Sequence, residues 1–222
     1  MPRVPRSALV YEDSYNHCTW RSHDLAFVLE TPEAKSRFLS LLGEYKTQYG
    51  IRIISYCVMS NHPHVVVRCT KGQVAFSAFW KVVNQRFARW YNRRAARRGQ
   101  VVMERLASPL IQDGRHLLVA MRYGDLNPVR AGIVRRPKDF RWSSYRHYAL
   151  GERNDLIDDD GPEYLALGRT AALRRKAYVH LFAVRASAMI RSRRPDLVTA
   201  PFIGDESWVR AKLEERSQAP PQ

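Results

Sequence analysis

Two histidines one residue apart, His62 and His64, lie in the segment Ser60-Asn61-His62-Pro63-His64. In extended backbone, residues i and i+2 project from the same face, so the two imidazoles stand side by side within reach of one divalent cation. Two ligands alone do not hold a metal, and a His-x-His pair serves as readily in hydrogen bonding. A second pair lies downstream in a helix-forming stretch. Tyr123 and Asn127 are four apart, so phenol and carboxamide share a helix face and can point at one site. Read singly, Tyr123 is also a core aromatic, and Asn127 before Pro128 is also a cap or turn residue. Taken together, the four residues could converge on one site.

The elements that must position them are legible in outline. Tyr15 to Arg21 has the β-branched and aromatic content of a strand. Thr31-Pro32-Glu33 opens a helix carrying Phe38, Leu41, Leu42, Tyr45 and Tyr49 at helical spacing, which Gly50 closes. Two apolar runs, Ile51 to Met59 and Val65 to Cys69, flank the histidines and read as a hairpin of buried strands. A long amphipathic helix follows, with Phe76, Phe79, Trp80, Val83, Phe87, Trp90 and Tyr91 facing inward until Gly99 ends it. Ser108 to Gln112 is a further short strand. A last helix runs from about Gly114 to Asn127, where Pro128 stops it. The order strand, helix, strand, strand, helix, strand, helix predicts an α+β ferredoxin-like sandwich, an antiparallel sheet with helices on one face.

From about Gly151 the composition shifts. Asp155, Asp158, Asp159, Asp160 and Glu163 form an acidic linker, and Leu173 to Ile190 and Asp205 to Arg216 read as helices. The expected division is therefore a catalytic unit over 1–150 and a small C-terminal helical extension over 151–222, with a disordered tail at SQAPPQ.

Lys and Arg number 37 against 21 Asp and Glu, a formal charge of +16, which points to a polyanionic partner. The long helix concentrates that charge. Lys81, Arg86, Arg89, Arg93, Arg94, Arg97 and Arg98 lie on its outer side with no acid between Lys81 and Arg98, a stripe suited to phosphates. Trp80, Trp90 and Tyr91 are expected in the core. The three cysteines, Cys18, Cys57 and Cys69, form no metal-binding or redox pair and read as reduced core thiols. No apolar run approaches the roughly 20 residues of a membrane span, so a soluble, cytoplasmic protein is expected. His17 and His116 are read as hydrogen-bonding residues near the site.

The run YCVMSNHPHVVV resembles the histidine-hydrophobic-histidine (HUH) motif of single-tyrosine transposases, and YGDLNPVRAGIVRRPKDFRWSSYRHY resembles the catalytic-tyrosine block of their REP-associated branch. WYNRRAARRGQVVMERLASPLI lies between them in the right order. ALRRKAYVHLF and FIGDESWVRAKL resemble the C-terminal helical region of longer members more faintly. The resemblance implies that His62, His64 and Asn127 ligate Mg²⁺ or Mn²⁺ and that Tyr123 is the nucleophile. It implies nicking and transfer of single-stranded or hairpin DNA through a 5′-phosphotyrosine, with Arg105, Arg130, Arg135 and Arg136 near the substrate, by a monomer or homodimer. Two positions depart from the pattern. Pro63 replaces a larger hydrophobic residue and should impose an edge or bulge geometry, and Ser60 stands where a proline is common. A rival expectation is a nucleic-acid-binding protein that has lost catalysis.

Overall fold

The computed structural model describes residues 4–103, 105–112, 114–158, 161–183, 197–198 and 200–217. The first strand, β1 (Ser14–Thr19), ends two residues before the predicted Arg21, and isolated bridges at its end and just beyond it join Thr19 to Ala107 and Ser22 to Val102. Helix α1 (Pro32–Lys46) starts as the sequence dictates, with the Thr31 hydroxyl accepting from the Ala34 amide at 3.1 Å and Pro32 in the first turn. Strands β2 (Ile51–Val58) and β3 (Pro63–Cys69) form the expected hairpin. A register irregularity between Ile53 and Ser55 changes the parity of β2, so that Ile51, Ile53, Tyr56 and Val58 all reach the same core.

Helix α2 (Gly72–Arg94) packs on α1, and Phe76, Phe79, Trp80, Val83 and Phe87 are buried. It ends at Arg94, short of the predicted Gly99, because Ala96 already adopts a left-handed φ of 48°. Arg97 and Arg98 therefore lie beyond the helix. Trp90 and Tyr91 pack against the same core, as expected. Strand β4 is only Leu110–Ile111.

The sheet order is β2-β3-β1-β4-β5, in which the first four strands are antiparallel in the ferredoxin-like arrangement. The fifth, β5 (Phe202–Ile203), was not anticipated and joins β4 in parallel, so the sheet is mixed. The expectation of helices on one face needs correcting as well. α1 and α2 cover one face over Cys18, Ile51, Ile53, Val65 and Val67. Helix α3 (Arg115–Arg130) covers the other, over Ile54, Val66 and Ile111.

Pro128 does not stop α3, which continues through it to Arg130. The proline stands within the last turn, where a helix can lose one backbone bond and still close: the Ala131 amide reaches the Asn127 carbonyl at 2.9 Å.

Past Gly151 the chain first runs beside the end of α1, where Leu156 packs, and then returns to the α3 face. Asp158 ion-pairs with Lys46 at 2.8 Å and accepts from the Ile53 amide at 3.0 Å, holding the acid-rich segment along β2. Helices α4 (Tyr145–Leu150), α5 (Pro162–Ala166) and α6 (Ala171–Ala183) bury a set of tyrosines, three of whose hydroxyls donate across it. Tyr148 donates to the Ile54 carbonyl, Tyr164 to the Tyr148 carbonyl and Tyr178 to Asp125. The predicted helix to Ile190 is described as far as Ala183; its remainder, Asp159, Asp160 and the tail after Ser217 lie outside the described residues. Helix α7 (Glu206–Ser217) matches the last predicted helix, and Trp208 packs on Phe202. Among the described residues no helix is long and apolar enough to cross a membrane.

Candidate functional site

His62 sits in the turn between β2 and β3, and His64 is the second residue of β3. Pro63 between them does not force an edge or a bulge. It is the first residue of an interior strand, opposite Val58, and pairing with β1 ends at Thr19 and His64, so no ladder bond is asked of its nitrogen. The turn is closed by the Met59 amide to the His62 carbonyl at 3.0 Å, and the Ser60 carbonyl accepts from the Leu29 amide at 2.8 Å. The two imidazoles lie 4.8 Å apart at 84°, side by side as their spacing required.

Helix α3 brings the second pair over them. The helix lies close over the strands at Gly124, where a Cβ would stand in ordinary contact with the Cβ atoms of His64 and Cys57 at 3.8 and 3.9 Å. The neighbouring Tyr123 is 7% exposed, with its ring 5.5 Å from His64 and 6.1 Å from His17. The Arg130 guanidinium lies 4.5 Å over the same ring. Asn127 donates from Nδ2 to the Tyr123 carbonyl at 3.0 Å and accepts at Oδ1 from Arg130 at 2.6 Å.

The hydrogen bonds determine which nitrogen each histidine offers. Asn61 Nδ2 faces the Leu25 carbonyl at 3.4 Å, so its Oδ1 accepts from the Nδ1–H of His62 at 2.6 Å. The Nε2 lone pair of His62 is then the one available for a ligand. His17 Nδ1–H donates to the Leu197 carbonyl at 2.6 Å, which makes His17 Nε2 an acceptor for the Nδ1–H of His64 at 3.0 Å. His64 is thereby left with a bare Nε2, and that atom is buried with no hydrogen-bond partner. A buried nitrogen without a partner costs about 1–3 kcal/mol unless something binds it.

All three imidazoles are held neutral. Burial pushes His17 down to about 4. Burial, then the charges of Arg21 and His17, pushes His62 down to about 4. His64 is driven well below the usual range by burial, then by His62, His17, Arg130 and Arg21. A neutral imidazole with an unshared lone pair, as His62 and His64 offer at Nε2, is what a cation binds.

Among the described residues no group of three or more His, Cys, Asp or Glu side chains could hold a metal ion. A site here must combine the two histidines with a donor of another type. The carboxamide oxygen of Asn127 is of the right chemistry, and its second lone pair remains after Arg130 has taken the first. The donor set fits an ion that accepts nitrogen and oxygen ligands.

His62, His64 and Tyr123 line a cleft of about 660 Å³. Of the cationic residues expected at the substrate, the structure brings Arg105 to the cleft wall and Arg130 to the tyrosine. Lys81, Arg86, Arg89, Arg93, Arg94 and Arg98 are exposed but lie along or just past α2, on the side of the sheet away from α3. Arg94 pairs with Glu33, and Arg97 lies over Tyr91. Arg135 and Arg136 are exposed after α3, and Arg136 pairs with Asp139. His116 is 3.8 Å from Asp205, apart from the histidine cluster. Sequence reasoning missed Arg6, Arg21, Trp20 and Arg216 as cleft residues. Only the basic character of Pro-Arg-Val-Pro-Arg at the start hinted at the first.

Residues 10–106 match the family model described as "Transposase IS200 like", a span that includes both histidines and stops before Tyr123. No curated protein matches. Among solved structures, the REP-associated tyrosine transposase bound to a REP hairpin is similar with a TM-score of 0.56 and 16% identity, covering 72% of this chain and 96% of that one. This chain is therefore similar to the IS200-like transposases over residues 10–106 and shares its α+β fold with the REP-associated tyrosine transposase.

Proposed function

We propose that the protein nicks single-stranded DNA flanking a hairpin or palindromic repeat and rejoins or transfers the strand through a 5′-phosphotyrosine on Tyr123. The observation that carries this reading is the convergence on one cleft of the partnerless His64 Nε2, the His62 ring and the Tyr123 ring. The hairpin-bound state of the similar solved structure and the family match support DNA as the substrate class.

In this reading His62, His64 and Asn127 hold Mg²⁺ or Mn²⁺, which supplies charge neutralisation and orientation at the scissile phosphate. The phenolic oxygen of Tyr123 attacks phosphorus and loses its proton. A new Tyr123 O–P bond forms, the P–O3′ bond breaks, and the departing oxygen takes up a proton to become a free 3′-OH. The phosphotyrosine conserves the ester, so a 3′-OH can reverse the step without ATP. Arg130, stacked on the tyrosine, and Arg105, on the cleft wall, hold the anionic substrate, with Arg6 and Arg21 extending the positive lining. The α2 stripe engages flanking DNA rather than the cleavage site.

A second reading, binding without cleavage, draws on the carboxamide of Asn127, which is engaged at both ends. One assay separates the two. Purified protein is incubated with a hairpin carrying a single-stranded flank, with Mn²⁺ or with chelator. The transposase reading expects a denaturant-stable protein–DNA adduct with metal only, lost in Tyr123→Phe while hairpin binding persists. Salt-sensitive binding without adduct under either metal would favour the second.

A further inference from the structure

We propose that His17 is a positioning residue for the site: by accepting the Nδ1 proton of His64 it fixes the tautomer and angle in which His64 presents Nε2 to a metal. The inference rests on the reading of His64 as a ligand, and it adds a residue outside the HUH pair.

The geometry separates His17 from the ligands. It is fully buried on β1, behind His64, whereas His62 and His64 line the cleft. On the sheet His17 lies opposite Val66, and Thr19 lies opposite His64, so His17 reaches His64 along the diagonal on the same face. The two rings are nearly parallel, 19° apart with centroids at 5.1 Å. Both His17 nitrogens are committed, Nδ1 to the Leu197 carbonyl at 2.6 Å and Nε2 to His64 at 3.0 Å.

A carbonyl can only accept, so His17 must carry its proton on Nδ1. Its Nε2 can then only accept from His64. The chain of two bonds therefore runs in one direction from a fixed backbone oxygen and leaves one tautomer for His64. Without it, the proton of a neutral His64 is free to settle on Nε2, where it must be displaced before a cation can bind. Hydrogen-bond partners of this kind orient ligating imidazoles and raise their basicity, and their loss weakens metal binding by about 10–100-fold.

The test uses the full chain and Mn²⁺ alone, read by titration calorimetry, together with the ring nitrogen tautomer of His64 read by ¹H–¹⁵N correlation in metal-free protein. His17→Phe keeps ring volume and removes the acceptor; His17→Gln restores an acceptor toward His64 and a donor toward Leu197. The expected result is a 10–100-fold weaker Mn²⁺ affinity in His17→Phe, near wild-type affinity in His17→Gln, and a His64 proton on Nδ1 in wild type and His17→Gln that moves to Nε2 in His17→Phe. A packing role alone would lower the melting temperature in the two variants without moving the tautomer. Should His17→Phe fail to fold, wild type and His17→Gln decide by the tautomer. Unchanged affinity and tautomer in folded His17→Phe, or Nε2–H in wild type, would overturn the inference while leaving the metal reading intact. Undiminished Mn²⁺ binding in His64→Ala would remove the metal reading, and this inference with it.

Discussion

On the face of the sheet covered by α1 and α2, the strands present Cys18, Ile53, Val65 and Val67 to Phe38, Phe79, Trp80 and Phe87, an apolar and aromatic layer with the buried Lys35 and Lys46 of α1 bonded at its margin. On the face covered by α3, neighbouring positions of the same strands present His17 and His64 beneath Tyr123, and the same helix buries Asn127 and, turned toward Tyr178, Asp125. Both faces are closely covered, and each leaves nitrogens without a partner, the indole N–H groups of Trp20 and Trp80 on the first and the bare Nε2 of His64 on the second, but only the second adds a carboxyl raised out of its usual range and a lone pair turned toward a cleft. The difference teaches where stability is made and where it is given up. The α1/α2 layer carries the fold, and the α3 layer keeps polar groups poised in a low-dielectric site.

The sharpest way to test that division is to delete one ring from each layer. Phe87→Ala should destabilise the protein by about 3–5 kcal/mol in urea unfolding, the cost of a large buried aromatic. His64→Ala should cost less than about 2 kcal/mol in chelator, because losing the ring also removes an unsatisfied buried nitrogen. Added Mn²⁺ should then raise the melting temperature of wild type and of Phe87→Ala but not of His64→Ala. Equal losses for the two variants, with no metal effect, would erase the contrast.

Asp125 offers the next largest effect. Burial raises its carboxyl to about 7, with hydrogen bonds from Tyr178 and Ser143 offsetting part of the shift, and Tyr145 and Tyr56 face it as well. The unfolded chain releases this proton near the ordinary 3.8. The folded state therefore holds an extra proton between the two values. Its contribution is fully present below about 4 and is lost as pH rises through about 7, a fall on the order of a few kcal/mol. Asp125→Asn, measured in chelator, should flatten the stability profile across that window. A wild-type profile already flat there would show that the carboxyl is not raised.

The first layer was the more legible of the two in the sequence. Helical spacing marked Phe38, Phe76, Phe79, Val83 and Phe87, and short apolar runs marked β2 and β3, because those signals are local. The juxtaposition of His62 and His64 was legible for the same reason: i and i+2 in extended chain leave no choice of face. What was not legible depends on distance along the chain. The acceptor that orders His17 is the Leu197 carbonyl, 180 residues away, and no periodicity announces it. Nor does a two-residue strand such as β5 announce itself, since its parallel pairing requires the whole α3–α6 crossover. Punctuation by single residues misled twice. Pro128 stands inside the last turn of α3, and Ala96 took the left-handed position that Gly99 was expected to fill.

The smallest effect tests how closely the layers touch. Gly124→Ala places a methyl in ordinary contact with His64 and Cys57, so it should be tolerated and should gain up to about 1 kcal/mol from helix propensity. Gly124→Leu has no such room. It should lift α3 and reduce adduct formation more than it reduces the melting temperature. Equal activity in the two variants would show that the spacing between helix and strand is not critical.

The central claim is tested most directly by locating the covalent bond. Protein reacted with a hairpin substrate and Mn²⁺ is digested with protease and nuclease, and the modified peptide is sequenced by mass spectrometry. The account predicts a nucleotide joined through its 5′-phosphate to Tyr123 and to no other residue. A bond to another tyrosine, or nicked DNA with no modified peptide at all, would contradict it.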